Sequence, residues 1–332
     1  MNALDISAIV PTYNRRDLLR HTIQSFIRQT LDPERFELII IDDGSTDQTE
    51  EMVREMAPRC GFRLLYHRMP RNGGPVLARN AGVGMAGAQL LAFTDSDCQV
   101  TPQWLTVAIA AFAAEPDLGF ISGPAISNPA QRIRFFSIGG ADIEGEHLTY
   151  PLANMVYRAS VLREAGGFDP TAWRNNVGAT AFDFSDTDFA WKVKERGYPN
   201  RFVLDLIVHH EVFQYTPWKW LVHFSRVSVV PELVRRHPGF GKKFLRWGVF
   251  CLPENPLFYL ALAGIAIALF GRPWALVLAI PYTVRAWQLL NVGRPWTHTP
   301  VILIQIVFFA VRQAVVCGAL IYGSVRARTL VL

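Results

Sequence analysis

The sequence predicts an α/β fold with a mostly parallel sheet, followed by a run of apolar helices. Three observations predict it: short runs that are apolar on both faces, segments with helical spacing between them, and polar turn residues where each run ends. Strands buried on both faces are typical of parallel sheets that are covered by helices. In such sheets, ligands bind at the carboxyl ends of the strands.

The elements follow one another from the N-terminus. ISAIV predicts the first strand, and apolar residues at helical spacing follow it. After the second strand, Ser45 and Gln48 are spaced as a capping box for the next helix. Further on, the stretch 182–198 predicts a helix with Asp186 and Asp188 at its start. The predicted strands are 6–10, 36–41, 62–67 and 90–94, and a later strand, 201–210, ends in two histidines.

The 332 residues are 50% hydrophobic and only 18% charged, and the apolar excess lies mainly beyond Trp247. We therefore predict a globular domain over 1–246, with halves 1–118 and 119–246, and membrane-associated helices over 247–332. A helix needs about 20 apolar residues to span a bilayer. Arg285 and Arg312 interrupt this region and predict helix packing rather than contact with anionic lipid. The apolar segments are 255–270, 272–290 and 300–323.

The remaining composition limits the function classes. The start of the chain has no basic and apolar leader, so we expect no signal peptide. The four cysteines are far apart, without zinc-like spacing, which suits a reducing compartment. A basic cluster precedes the apolar region, where the positive-inside rule places a cytoplasmic flank. No recognition motif supports nucleic-acid binding, and we predict no nucleic-acid partner.

Paired carboxylates at the end of the strand 90–94 suggest the chemistry. Asp95 and Asp97, in D-x-D spacing, suit a hard divalent cation such as Mg²⁺ or Mn²⁺. PTYN and DDGS end the first two strands and are expected at the same edge. Neither a Walker A string nor a G-x-G-x-x-G motif is present, which disfavours a P-loop ATPase and a dinucleotide-binding domain. A metal-bridged diphosphate remains, with PTYN and DDGS available for a base and ribose.

Several motifs in order carry a family resemblance. The stretch from IVPTYN to DDGSTDQT, followed by ARNAG, TDSD, GGFD, the Asp186 region and a late histidine, resembles family-2 glycosyltransferases of the GT-A fold. The likeness covers roughly residues 5 to 215. It implies a sheet that binds a nucleotide sugar, flanked by helices on both faces, and inversion at the anomeric carbon.

The resemblance also implies roles for single residues. Pro11, Tyr13 and Asp43 would line the nucleobase pocket, and Arg79 would lie near base or phosphate. Asp95 would face the ribose. Asp97 would bind the metal, with His210, or its neighbour His209, completing the metal or diphosphate site.

Asp186 matches the second position of the family's Glu-Asp motif and would be the general base that deprotonates the acceptor hydroxyl. Ser185 stands where the family has Glu, so Asp188 is a second candidate. Processive members carry a Q-x-x-R-W string, and here Lys243 replaces the Gln before Arg246 and Trp247. Single-sugar addition is therefore favoured over polymer synthesis.

Together these features predict a metal-dependent, inverting glycosyltransferase anchored in the inner membrane, with its catalytic domain in the cytoplasm. The donor would be a sugar on UDP, GDP or dTDP, and the acceptor a lipid-linked or cell-surface glycan. One alternative is a polyprenyl-phosphate glycosyltransferase, whose phosphate acceptor scarcely needs a base. Another is a non-catalytic nucleotide-sugar-binding subunit of a glycan-export complex.

Overall fold

The computed structural model describes residues 4–138, 142–170, 184–290 and 299–332. The chain forms two compact units, one of Met1–Ile133 with Ile138–Phe213 and one of Arg134–Ser137 with Gln214–Leu332. The globular domain over 1–246 and the membrane-associated helices over 247–332 stay a prediction.

The first unit contains the strands. They are β1 (Ile6–Thr12), β2 (Phe36–Asp42), β3 (Arg63–Arg68), β4 (Leu90–Phe93), β5 (Cys98–Val100), β6 (Phe120–Ser122), β7 (Ala125–Ser127), β8 (Ser137–Ile138), β9 (Met155–Arg158), β10 (Asn200–Phe202), β11 (Val208–His210) and β12 (Phe213–Gln214), of which β8 and β12 lie at the boundary between the units. Its helices are α1 (Arg16–Ile27), α2 (Thr49–Met56), α3 (Pro75–Met85), α4 (Trp104–Ala114), α5 (Ala159–Glu164) and α6 (Ser185–Glu195).

A seven-stranded sheet forms the centre of this unit, in the order β10-β6-β9-β4-β1-β2-β3. β1 pairs in parallel with both β2 and β4, and β9 runs antiparallel to β4 and β6. β1, β2 and β4 are buried along their whole length, as the apolar runs predict. The predicted α/β fold with a mostly parallel sheet is confirmed, and the carboxyl ends of β4, β1 and β2 are neighbours at one edge.

The stretch 201–210 differs from its prediction as one strand. It forms β10 and β11, which belong to different sheets, because a turn closed by Leu206 N and Val203 O, 3.1 Å apart, separates them. Exposed Leu204 lies in this turn, so the run is not uniformly buried. β11 joins a small sheet in the order β5-β11-β7.

Asn154 fixes this small sheet to the core. Its side chain is buried and accepts a hydrogen bond from Trp104 Nε1 at 2.9 Å. Its Nδ2 donates to Pro124 O at 2.8 Å and to Leu206 O at 2.5 Å, just before β7 and β11 begin. One amide therefore holds the two segments that lead into these strands.

The second unit is helical, with α7 (Pro217–Phe224), α8 (Val230–Arg236), α9 (Pro238–Phe244), α10 (Glu254–Leu269), α11 (Ile280–Leu290) and α12 (Thr299–Ala327). Arg285 on α11 pairs with buried Glu254 on α10 at 3.1 Å, which fits the predicted packing role of that arginine. Gln313 on α12 donates to Asn255 on α10. The polar residues of the apolar segments thus meet one another between helices.

Among the described residues, one helix is long and apolar enough to cross a membrane, Ile304–Ala327, with mean hydropathy 2.0. Its length and composition also occur in core helices of soluble proteins. The first predicted segment forms the shorter α10, of 16 residues. The middle segment divides into a 3₁₀ helix, Pro273–Ala279, and α11. The third predicted segment lies within α12.

Replacing Asn154 with Leu is expected to destabilise the first unit. The change leaves a buried indole N–H and two buried carbonyls without their partner, at a cost of about 3 kcal/mol. The thermal unfolding midpoint should fall by roughly 6–12 °C. Gln103→Leu is the matched control, because Gln103 is exposed and makes no side-chain cap hydrogen bond. Equal midpoints for the two variants would contradict the role assigned to Asn154.

Candidate functional site

The loops after β1 and β2 are joined to each other. Asn14 N donates to Ser45 Oγ at 2.9 Å, and Thr46 N donates to Asn14 Oδ1 at 2.8 Å. Asn14 adopts a left-handed conformation, with φ of 50°, which asparagine tolerates better than most residues. Ser45 therefore serves this loop contact instead of the predicted capping box. The motifs PTYN and DDGS form one structural element at the edge of the sheet.

The residues predicted to hold the nucleobase lie along this element. Pro11 is buried in β1 opposite Ile41, and Tyr13 beyond the strand end is 45% exposed. Asp43 is buried, and its two carboxylate oxygens accept from Gly73 N at 2.7 Å and from Gly74 N at 2.8 Å. Asp43 thus holds the glycine-rich loop that precedes α3, and each oxygen retains a second acceptor position.

Arg79 is brought to the site by close packing of α3 on the sheet. A Cβ at Gly82 would lie 2.5 Å from Ile9 Cγ2, so only glycine lets this helix approach β1 so closely. Arg79 Nη2 then lies 3.0 Å from Asp95 Oδ1, and both side chains are largely buried. The predicted phosphate or base residue and the predicted ribose residue are direct partners.

Asp97 has different neighbours from Asp95. Its side chain is 4% exposed, and Oδ2 forms an ion pair with Arg15 Nη1. Its Oδ1 lies 3.6 Å from His210 Nε2. The two carboxylates of the D-x-D motif therefore face two separate sets of basic groups.

His210 reaches Asp97 because of the register of the small sheet. β11 runs antiparallel to β5, with His210 opposite Cys98 and His209 opposite Gln99. Successive residues of a strand point to opposite faces, so His209 is directed away from Asp97. The ring Nδ1 of His210 lies 2.7 Å from Glu211 O. Because a carbonyl oxygen can only accept, Nδ1 carries a proton here, and Nε2 is the ring nitrogen that is directed toward Asp97 and available to a metal.

Glu211 anchors the backbone that follows His210. Its carboxylate accepts hydrogen bonds from Gln99 Nε2 at 3.2 Å, from Asn128 Nδ2 at 3.1 Å and from Gln131 Nε2. Three side-chain amides, one from β5 and two from the turn after β7, therefore fix the carbonyl that orients the imidazole. Sequence reasoning missed Glu211 and its partners, because no spacing in the chain joins them.

The predicted metal ligands Asp97 and His210 suit a divalent cation in their donor chemistry. Among the described residues, Asp97, Cys98 and His210 each have a ligand atom within 4.8 Å of the others. Burial, together with the charges of Asp97 and Asp95, raises the pKa of the Cys98 thiol well above its usual value, which favours the neutral thiol over the thiolate. A carboxylate and an imidazole remain, and both are acceptable ligands of Mn²⁺. Two protein ligands leave positions for phosphate oxygens and water.

Asp186 and Asp188 both lie in the first turn of α6, where the helix dipole favours negative charge. Asp186 is half-buried and Asp188 is buried, so Asp186 is the more accessible of the two. Asp186 Oδ1 accepts from Thr187 N at 2.8 Å. Residues 171–183, which include part of the predicted helix over 182–198, lie outside the described residues.

The segment before β9 holds α6 in place. Thr187 Oγ1 donates to Thr149 O at 2.7 Å, and Trp191 Nε1 donates to Leu148 O at 2.8 Å. At the other end of α6, Lys194 pairs with Glu146 at 3.2 Å. Burial alone would raise the pKa of Glu146, but hydrogen bonds from Tyr150, Asn200 and Lys194 lower it to about 2. The charged end of this segment thus stays ionised and fixes the helix that carries Asp186.

Arg15 is a second residue that sequence reasoning missed. It follows PTYN directly at the carboxyl end of β1, and that position is the signal from which a basic partner for Asp97 could have been expected. Its side chain is 42% exposed, and its guanidinium also lies 5.6 Å from the centre of the Phe213 ring.

Comparisons with known proteins agree with this architecture. Residues 7–163 match the model of the family described as Glycosyl transferase family 2. Validoxylamine A glucosyltransferase of Streptomyces hygroscopicus subsp. limoneus is 42% identical over 109 residues, 32% of this chain and 24% of that protein. Pre-mycofactocin glycosyltransferase of Mycobacterium tuberculosis is 28% identical over 250 residues, 70% of this chain and 48% of that protein. The chain spans about a quarter to a half of the length of these relatives.

Solved structures share the fold at low sequence identity. Mannosyltransferase PcManGT from Pyrobaculum calidifontis, in complex with GDP-Man and Mn²⁺, aligns with a TM-score of 0.58 and 18% identity over 97% of this chain and 88% of that one. S. aureus TarS 1–349 in complex with UDP-GlcNAc aligns with a TM-score of 0.51 and 16% identity over 98% and 93% of the two chains. Over residues 7–163 this chain is therefore similar to family-2 glycosyltransferases, and it has the GT-A fold that the solved structures share.

Proposed function

We propose that this protein is a metal-dependent, inverting glycosyltransferase that adds one sugar from a nucleoside-diphosphate donor to a lipid-linked or cell-surface glycan. The convergence of Asp95, Asp97 and His210 with Arg79 and Arg15 carries the proposal. Acidic and basic groups alternate across the edge of the sheet where nucleotides bind in such folds. A purely structural turn would not need five such groups in one place.

The donor site follows from the same edge. The loop element of PTYN and DDGS, with exposed Tyr13 and the second acceptor positions of Asp43, would take the nucleobase. Asp95 would accept from the ribose hydroxyls, and Arg79 would shift from Asp95 toward a phosphate oxygen. A carboxylate can accept from the N–H of uracil, thymine or guanine, so UDP, GDP and dTDP remain candidate carriers. The similar structures PcManGT and TarS are complexes with GDP-Man and UDP-GlcNAc, which supports a nucleotide-sugar donor.

Asp97 and His210 would hold a divalent ion, Mg²⁺ or Mn²⁺, which when bound would neutralise the charge of the diphosphate. The hydrogen bond from Nδ1 to Glu211 O keeps the Nε2 lone pair available for this task. The deep burial of Asp97 excludes water from around its carboxylate and strengthens its attraction for a cation.

Asp186 would act as the general base. Its carboxylate takes the proton of the acceptor hydroxyl as the new bond from that oxygen to the anomeric carbon forms. The bond from the anomeric carbon to the phosphate oxygen breaks on the opposite side, and the nucleoside diphosphate leaves. A single displacement of this kind inverts the anomeric carbon and needs no covalent intermediate.

The long apolar helix over Ile304–Ala327 supports an anchor in the inner membrane with the catalytic unit in the cytoplasm, where nucleotide sugars are made. The basic residues before α10 support the same orientation, since cytoplasmic flanks carry an excess of Lys and Arg. The replacement of Gln by Lys243 in the string before Trp247 supports addition of one sugar.

The metal role predicts ligand-dependent thermal stabilisation. The detergent-solubilised chain should show a higher unfolding midpoint with one of UDP, GDP or dTDP in the presence of Mn²⁺, and a much smaller shift without the metal. Asp97→Ala should lose the metal-dependent part. Asp205→Ala, at an exposed position of the same unit, should keep it. Failure of every nucleotide to stabilise folded wild-type protein would overturn the proposed activity.

The hold of Asp43 on the glycine-rich loop predicts a proteolytic signature. In Asp43→Asn, an amide N–H₂ replaces one acceptor oxygen and faces a backbone N–H, so the loop should open more often. Tryptic cleavage after exposed Arg71 should accelerate by about tenfold, and nucleotide affinity should fall with it. Asp117→Asn, at an exposed position away from the loop, is the control. Unchanged cleavage would show that the two hydrogen bonds do not fix the loop.

The base role predicts loss of turnover without loss of binding. Asp186→Asn should slow the hydrolysis of the UDP-sugar or GDP-sugar donor by water at least 100-fold, with donor affinity within about twofold of wild type. Asp188→Asn tests the second candidate in the same assay. If Asp186→Asn retained transfer to a polyprenyl phosphate, the alternative that needs no base would replace the hydroxyl-acceptor proposal.

A further inference from the structure

Arg15 is one of the basic groups at the proposed site, but no step of the proposed chemistry has been assigned to it. It is the last of the three residues between β1 and α1, and its carbonyl accepts from Leu19 N at 2.9 Å, so the backbone that carries its side chain is fixed. The guanidinium pairs with Oδ2 of Asp97, the carboxylate to which the metal role is assigned. Arg15 and a divalent cation would therefore require the same oxygen.

The two cations cannot share that oxygen at low cost. The carboxylate is buried, and positive charges a few ångströms apart in such surroundings repel each other strongly. The arginine side chain is partly exposed and long, whereas the backbone of Asp97 is held by the hydrogen bond from Glu211 N to Asp97 O at 2.9 Å. Arg15 is thus the partner that moves.

The guanidinium already makes a second contact, which it can keep when it leaves Asp97. It lies 5.6 Å from the centre of the Phe213 ring, a contact that an arginine can keep while it changes hydrogen-bond partners. A nucleoside diphosphate at this edge would offer phosphate oxygens, which match the planar fork of a guanidinium. The movement would then exchange one anionic partner for another.

We propose that the Arg15 guanidinium pairs with the Asp97 carboxylate, in place of a metal ion, until a metal and a nucleoside diphosphate bind together. Metal alone must displace Arg15 from its carboxylate and binds weakly. Metal with the nucleotide releases the guanidinium to the diphosphate and binds strongly. Arg15 is therefore a positioning residue that couples the two ligands, and by thermodynamic linkage each raises the affinity for the other by the same factor. This inference rests on the proposed metal role of Asp97.

The test is calorimetric titration of Mn²⁺ into the detergent-solubilised full chain, with and without UDP or GDP, whichever stabilises the wild type. In Arg15→Gln, the affinity for Mn²⁺ alone should rise by about tenfold, since a charge-assisted hydrogen bond no longer competes. The factor by which the nucleotide raises the affinity for Mn²⁺ should fall by a similar amount. Neither quantity depends on turnover.

Two variants complete the experiment. Arg16→Gln is the matched control, because Arg16 is the next residue and pairs with Asp17 rather than with Asp97; both quantities should stay within about twofold of wild type. Arg15→Lys keeps the charge without the fork, so it should bind Mn²⁺ alone as wild type does, with reduced coupling to the nucleotide. If Arg15→Gln does not fold, the reduced coupling in Arg15→Lys tests the inference in its place.

The outcomes separate the two proposals. If Mn²⁺ binds wild type and Arg15→Gln equally, or binds the variant more weakly, the inference about Arg15 is overturned while the metal role of Asp97 stands. If Mn²⁺ binds neither the wild type nor any variant, even with nucleotide present, the metal role of Asp97 fails and the inference fails with it.

Discussion

The parallel pairing of β1 with both β2 and β4 is the constraint on which the rest of the first unit depends. Three adjacent strands that run in the same direction must end at the same edge. The motifs PTYN, DDGS and DSD follow those ends, so their polar side chains meet there. The burial of the apolar residues of the three strands supplies the free energy that stabilises this arrangement. That free energy also keeps the polar residues at the edge close together.

Charge organises that edge. Asp95 pairs with Arg79 from α3, and Asp97 pairs with Arg15 from the end of β1. Each carboxylate is thus neutralised by a side chain that is long enough to leave it. In a site for an anionic ligand this pattern is useful, since the same guanidinium groups can turn to phosphate oxygens while the carboxylates take hydroxyls or a cation.

Other side chains hold the backbone that supports these charged groups. Asn154 ties the approaches of β7 and β11 to the core, and Glu211 holds the carbonyl that orients His210. The segment 146–151 likewise fixes α6 through Thr187 and Trp191. Catalytic geometry generally depends on such supporting contacts, because a ligand or base that wanders by an ångström loses much of its effect.

The sequence by itself determined the parallel sheet, the strand ends with their acidic motifs and the apolar character of the C-terminal region. These features depend on the pattern of apolar and polar residues within short stretches of the chain. It could not show which of His209 and His210 lies beside Asp97, since that depends on the register of β11 against β5, which is set by contacts far apart in the chain. The prediction of one strand over 201–210 is wrong because a turn closed by Leu206 N and Val203 O interrupts the run. Arg15, Glu211 and the turn between β10 and β11 became visible only in the tertiary structure, where packing brings distant segments together.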